Sequence, residues 1–399
     1  MERIWNTDRV CSFRLINVRI MIRSFLTFIL ATFIWCLYLS KSSHPILKVY
    51  KIPNSDHAEE ENKCNFFYGK WVYDETYPLY NASLCPFVEQ GFNCLANGRR
   101  DIGYLKWRWQ PNNCNIPRFD VSMILEKLRG KRVVFVGDSL SRTQWESMIC
   151  MLMTGVDDKT SVYEVNGNKI TKKIRNLRVR FSSYNLMVEF YRSIFLVQPS
   201  TFVSKRAPKR VKSLIQLDKL QDTSHEWLGS DVLIFNSAHW WTPTKLFEIG
   251  CYFQVGGKMK LGMPIQVAYR TALATLGNWL EKNIDSKKTQ VFFRTFESAH
   301  WSQQTCNVTM EPLSEANGME NNPFSDIIRD TMNNLMIPVI AIHVTPMSAF
   351  RSDAHVGTWS DNPMVPDCSH WCLPGVPDTW NEILFAYILK PDKMKSFDY

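Results

Sequence analysis

Between Lys131 and Met153 the apolar positions change period. Val133, Val134, Phe135 and Val136 form an unbroken apolar run, the pattern of a strand buried on both faces in a parallel sheet. Gly137 and Asp138 end it. From Ser141 onward Trp145, Met148, Ile149 and Leu152 recur at helical spacing with no Gly or Pro among them, which predicts a helix. Ser139 therefore falls at a strand-to-helix junction. Further buried strands are predicted at Asp231–Phe235, Gln290–Arg294 and Pro338–Ile342, and Leu177–Val197 alternates like two paired strands that turn near Tyr184-Asn185. Gly262–Ile284 reads as an amphipathic helix, with Pro264 in its first turn and Ile265, Ala268, Ala272, Leu276 and Leu280 on one face. A closing helix, Pro377–Leu389, turns Trp380, Leu384 and Ile388 inward. Strands alternating with helices predict an α/β fold, a mostly parallel central sheet with helices on both faces.

The ends of the chain follow other patterns. Ser24–Ser40 is an uncharged, apolar stretch near the lower length limit for a membrane-spanning helix. Arg3, Arg9, Arg14, Arg19 and Arg23 precede it and only Lys41 follows closely, which orients residues 1–23 as a cytosolic tail and the remainder as lumenal. A cleaved signal peptide is the alternative, given the small residues at Ser40–Ser43, but the long charged leader favours an uncleaved anchor. Residues 41–63 are polar, with Glu59, Glu60 and Glu61, and read as a stem. Residues 64–399 are then one globular unit, with 116–399 as its α/β core. Its first part, 64–115, holds four cysteines and many turn signals and reads as a disulfide-stapled, loop-rich segment packed on the sheet.

Composition adds the compartment. Nine of eleven cysteines lie beyond the anchor, where disulfides are their expected use. Nine is odd, so at least one thiol stays unpaired or pairs between chains. Asn81-Ala-Ser83 and Asn307-Val-Thr309 are glycosylation acceptor sequences. The net charge of +9, a third of it in the first 40 residues, suits a polyanionic partner, but no nucleic-acid motif accompanies the scattered basic residues. Aromatic residues are over-used, and Tyr104–Pro111 (YLKWRWQP) reads either as a sugar-stacking strip or as rings wedged under the sheet.

A serine at the carboxyl end of a parallel strand suits nucleophilic chemistry, because the site crevice lies there and the helix start offers unpaired N–H groups. Gly-Asp-Ser alone is also an ordinary turn or N-cap. Asp367 and His370, spaced Asp-x-x-His, supply what a hydroxyl nucleophile needs: a base, and an acid to orient it. Asp353 and His355 are a competing pair. Cys368 and Cys372 bracket His370, but that spacing fits no common zinc pattern, so no metal is expected.

Gly137-Asp138-Ser139, Asn236-Ser-Ala-His-Trp-Trp241, Phe292-Phe-Arg-Thr295 and Asp367-Cys-Ser-His-Trp-Cys372 with the following Leu-Pro-Gly-Val-Pro-Asp-Thr-Trp-Asn-Glu382 occur in this order. From about Cys64 to Leu389 the chain resembles the trichome-birefringence-like family of plant cell-wall polysaccharide O-acetyltransferases, which are GDSL (SGNH)-esterase-like in fold. The stretch Arg351-Ser-Asp353-Ala-His355 departs from that family, since Val356-Gly357 follows where the family has Pro-Ser. The resemblance implies a type II Golgi-membrane enzyme that moves acetyl groups onto pectin, xylan, mannan or xyloglucan. Ser139, Asp367 and His370 would be its triad. Asn236 would be an oxyanion donor, though it equally suits a turn cap. Arg142 and Trp240 are candidates for donor or acceptor binding, with a salt-bridged Arg142 as the plainer reading. No resident cofactor is implied, only an acetyl donor such as acetyl-CoA. The implied disulfides are 64 with 114, 85 with 150, 94 with 372 and 306 with 368, which leaves Cys251 over. An acetyl esterase and a non-enzymatic pectin-binding bridge are the alternatives.

Overall fold

The computed structural model describes residues 64–302 and 305–390. The tail at 1–23, the transmembrane helix expected at 24–40 and the stem at 41–63 lie outside them. No helix among the described residues is long and apolar enough to cross a membrane.

The apolar run at 133–136 forms β1 (Arg132–Gly137) in the middle of a seven-stranded sheet. The other strands are β2 (Val162–Glu164), β3 (Asn176–Phe181), β4 (Leu186–Arg192), β5 (Val232–Asn236), β6 (Gln290–Arg294) and β7 (Val339–Ile342), in the order β7-β6-β5-β1-β4-β3-β2. The strands from β7 to β4 run parallel, and β3 and β2 are antiparallel additions at one edge. Asn185, with φ of 51°, makes the left-handed turn between β3 and β4, a conformation that asparagine tolerates. Successive side chains point to opposite faces, so Val133, Phe135, Ile234 and Phe292 enter one core while Val134, Val136, Leu233, Phe235 and Phe293 enter the other.

Among the described residues five helices of seven residues or more cover these faces: α1 (Val121–Lys127), α2 (Ser139–Met153), α3 (Ile265–Asn283), α4 (Pro323–Asn333) and α5 (Val376–Leu389). Residues of α1, α2 and α5 join the first core, and residues of α3 and α4 the second. Helix α2 begins at Ser139, two residues earlier than its apolar period suggests, because the Asp138 carboxylate accepts the N–H of Leu140 at 3.0 Å and caps the turn. Helix α3 begins at Ile265, because Pro264 is extended and stands just outside it. Helix α4 was not foreseen, although Asn322 caps it, Pro323 opens it and Ile327, Ile328 and Met332 are buried. A second, four-stranded sheet was also missed: Val197–Ser200, Ser213–Leu220, Cys251–Val255 and Lys258–Lys260 pack with Ile215, Leu217 and Phe253 against the core that holds α3. Val197 belongs to this sheet rather than to the β3–β4 pair.

The segment before α1 is short of regular structure, with one antiparallel pair, Gly69–Tyr73 and Trp107–Pro111, and three short 3₁₀ turns. Phe66, Tyr80, Phe87, Phe92, Tyr104 and Trp109 enter the first core. This decides the aromatic strip in favour of wedged rings: Tyr104 and Trp109 are 1% and 3% exposed, and the Trp109 indole donates to the Phe66 carbonyl. Disulfides join Cys64–Cys114, Cys85–Cys150, Cys94–Cys372 and Cys306–Cys368, the pairs the resemblance implies, and Cys251 is a buried free thiol.

The same segment buries three acids on α2 and α5. Tyr77 donates to Glu382 at 2.6 Å, Tyr80 and Ser147 donate to Asp378, and the Glu89 N–H donates to Glu146. Burial pushes Glu146 up to about 8 and Asp378 and Glu382 up to about 7. The folded state therefore binds protons that an unfolded chain, titrating near 4, releases, so stability from these groups is present in acid and is lost as pH rises toward 8. Below about 6.5 the buried His300, His343 and His355, whose pKa values burial lowers, act in the opposite sense. The expected result is a folded state that loses about a few kcal/mol between pH 6.5 and 8.5. Thermal melts across that range check it, and a Tm that stays level or rises contradicts it.

Candidate active site

The carboxyl end of β1 is a crowded turn. A Cβ on Gly137 would sit 2.3 Å from Asn236 Oδ1 and 2.6 Å from the Asn236 carbonyl oxygen, so only glycine lets the ends of β1 and β5 meet. Asn236 Oδ1 accepts the Asp138 N–H at 3.2 Å, which leaves its Nδ2 donors for another acceptor. Ser139 then opens α2, where its N–H has no acceptor within the helix.

The imidazole comes from the other end of the chain. Strand Asp367–Trp371 pairs with His355–Gly357 and carries His370, whose Nε2 lies 2.6 Å from Ser139 Oγ. His370 Nδ1 lies 2.6 Å from Asp367 Oδ2, and Asp367 Oδ1 accepts the N–H groups of Ser369 and His370 at 2.8 and 3.0 Å. A proton on Nδ1, facing the carboxylate, leaves the Nε2 lone pair to receive the serine hydroxyl. Burial alone would push the Asp367 carboxyl up, but the His370 ring and the two N–H groups outweigh it and hold the acid well below the usual carboxylate range. Burial likewise disfavours a charged His370, yet Asp367 wins and raises its pKa above the ordinary 6.5. Phe92, which sequence reasoning did not single out, stacks on the His370 ring with centroids 5.5 Å apart. The nearby Cys94–Cys372 bond holds the two segments together.

The rival pair is used elsewhere. Asp353 receives both arms of Arg351 at 2.8 and 2.9 Å. His355 is fully buried, faces the His370 carbonyl through Nδ1 at 2.9 Å and stacks on Trp371. Both stand behind the base rather than beside the hydroxyl. Cys368 and Cys372 are both oxidised, so the cluster around His370 is not a metal-ligand set.

A cleft of about 340 Å³ opens at Ser139, lined by Phe92, Ile174, Phe190, Arg192, Val365 and His370 among others. Arg142 reaches it, but the guanidinium is buried against the Glu89 carboxylate at 3.0 Å, the salt-bridged alternative, and against Glu146 at 2.9 Å, which burial keeps largely protonated at neutral pH. Trp240 is not among the lining residues; it packs edge-on against Phe195 and lies under the Lys245 ammonium. Asn81 and Asn307 are both exposed.

Comparison with known proteins gives two family matches. Residues 116–387 match the GDSL/SGNH-like acyl-esterase family found in Pmr5 and Cas1p, and residues 62–115 match the PMR5 N-terminal domain. Trichome berefringence-like 7 of Arabidopsis thaliana is 61% identical over 331 residues, covering 83% of this chain and 74% of that protein. Trichome birefringence-like 6 from the same plant is 39% identical over 360 residues, covering 86% of this chain and 75% of its own length. Trichome birefringence itself is 37% identical, with 83% of this chain and 57% of that protein aligned.

Proposed function

The chain belongs to the GDSL/SGNH-like acyl-esterase family found in Pmr5 and Cas1p, with trichome birefringence-like proteins as its relatives, and from that premise we propose that it is an O-acetyltransferase acting on hydroxyls of plant cell-wall polysaccharides. The observation that carries the reading is the unbroken relay from Ser139 Oγ through His370 to Asp367, with both contacts at 2.6 Å. Ser139 Oγ attacks the acetyl carbonyl of the donor while its proton passes to His370 Nε2. The oxyanion is received by the Ser139 N–H and Asn236 Nδ2. The leaving group takes the proton from His370 as its bond to the acetyl carbon breaks, which leaves acetyl-Ser139. An acceptor hydroxyl then gives its proton to His370 and attacks the ester, and Ser139 recovers a proton as it departs.

A second reading, an acetyl esterase, is supported by the partial exposure of the His370 and Asp367 side chains, 24% and 31%, which lets water reach the base. Incubating the full-length chain with labelled acetyl-CoA and deacetylated pectin, xylan, mannan and xyloglucan separates the two. Label in polymer supports transfer, whereas free acetate alone, at a rate indifferent to polymer, supports hydrolysis. The proposal includes a lumenal, type II placement in the Golgi, with tail 1–23, anchor 24–40 and stem 41–63. The four disulfides and the two exposed glycosylation sequences support it, and protease protection of sealed microsomes tests it.

The pH dependence follows from the base. His370 must be neutral to take the Ser139 proton, and its pKa lies above 6.5 because of Asp367. Turnover should therefore rise through an acid limb centred above 6.5, falling about tenfold per pH unit below it. A profile flat from pH 5.5 to 8 would remove His370 as the base, since its pKa is shifted up from 6.5.

A further inference from the structure

Charge in the catalytic cleft does not balance pair by pair. Its three acids are each engaged: Glu89 by Arg142 at 3.0 Å, Asp361 by Lys172 at 3.0 Å and Asp367 by His370 at 2.6 Å. Its remaining cation, Arg192, pairs with no carboxylate among the described residues; its guanidinium makes a long contact, 3.5 Å, to the Lys172 carbonyl. Arg192 is the last residue of β4, and its backbone pairs with Gly137, two residues before the nucleophile. The rim of the sheet thus carries Asn236 on one side of the Ser139 turn and Arg192 on the other. Arg192 is half-buried; burial together with the neighbouring Arg175 and Arg142 disfavours its charge, while the Asp138 carboxylate, without touching it, favours it. Arg175 is exposed and has no ion pair among the described residues either. A guanidinium held in a cleft beside like charges, with no carboxylate in ion-pair contact among the described residues, is suited to an anion brought by a ligand.

Resting on the acetyltransferase reading, we propose that Arg192 is the specificity-determining residue for an anionic acceptor, and that it receives the carboxylate of a uronosyl residue when the neighbouring hydroxyl lies at Ser139. A planar, bidentate guanidinium matches a carboxylate, and a neutral pentose or hexose polymer offers no such partner. The phosphates of a nucleotide thioester donor share the anionic chemistry, so the arms of the test keep donor and acceptor apart.

Binding of oligogalacturonate and of its fully methyl-esterified form is measured with the full-length chain carrying Ser139→Ala, alone and with Arg192→Gln or Arg192→Lys. The free acid should bind more tightly than the ester, about tenfold or more of that preference should vanish with Arg192→Gln, and Arg192→Lys should keep part of it. Binding needs no turnover, so this arm stands even if no acetyl transfer is found. Equal binding of acid and ester, or an equal loss of both with Arg192→Gln at unchanged Tm, overturns the proposal. In the turnover arm, an Arg192→Gln defect that appears with acetyl-CoA but not with p-nitrophenyl acetate, whatever the acceptor, assigns the guanidinium to donor phosphate and likewise overturns it.

Discussion

Ser139→Ala and His370→Ala are each expected to lower acetyl transfer by about three orders of magnitude or more. The double variant should be scarcely worse than either, because the two groups act as one unit. The hydroxyl and the ring share a single 2.6 Å contact, so removing either partner ends the same proton transfer. Asp367→Asn should cost about as much, since an amide at 2.6 Å from Nδ1 can favour the wrong tautomer. It should also move the acid limb of the pH profile to lower pH, because Asp367 is what raises the His370 pKa. Initial rates of labelled acetyl transfer, compared at matched Tm, decide the matter. Wild-type-like rates in Ser139→Ala would end the acetyl-enzyme mechanism, and additive losses in the double variant would mean that the pair does not share a step.

Loss of the Cys94–Cys372 bond is expected to have the largest effect on the folded state. The bond joins residues 278 apart, and closing so long a loop is worth about 5 kcal/mol in the chain-entropy account. It also ties the segment that carries Phe92 to the strand that carries His370. Replacing both cysteines with serine should therefore lower Tm sharply and reduce turnover of whatever folds. The Cys64–Cys114 bond, spanning 50 residues within the N-terminal segment, is the control: its removal should cost less stability and leave turnover of the folded fraction near the wild-type value. Equal effects of the two on turnover per folded molecule would show that the Cys94–Cys372 tie has no part in placing the base.

Much of this site was legible because its parts carry local signals. An apolar run cut short by Gly137-Asp138 placed Ser139 at the head of a helix, and the Asp-x-x-His spacing put Asp367 Oδ2 within reach of His370 Nδ1. What was not legible depends on partners far along the chain. A salt-bridged Arg142 is the plainer reading, but that Glu89 is its partner, and that Arg192 has no ion pair among the described residues, follows from a loop of the N-terminal segment reaching α2 and from β4 pairing with β1. Trp240 looked available near Asn236, yet it stands four residues past the end of β5, and its ring packs on Phe195 instead. The second sheet was missed because Ser213–Leu220 mixes polar and apolar positions without a clean alternation. Helix α4 carried a readable cap and stripe, so that miss was avoidable.

The Ser139–His370 contact bridges 231 residues of sequence, and this has a bearing on how the protein comes into being. A chain emerging from the ribosome displays its alcohol long before its imidazole exists. β5, β6 and β7 are all synthesised before the strand that carries His370, and Cys94 before its partner Cys372. A nascent or C-terminally clipped chain thus has no proton acceptor for its serine. Competence arrives only once the stretch around His370 has been made, and the Cys94–Cys372 and Cys306–Cys368 bonds then keep that stretch attached even where the chain between is cut.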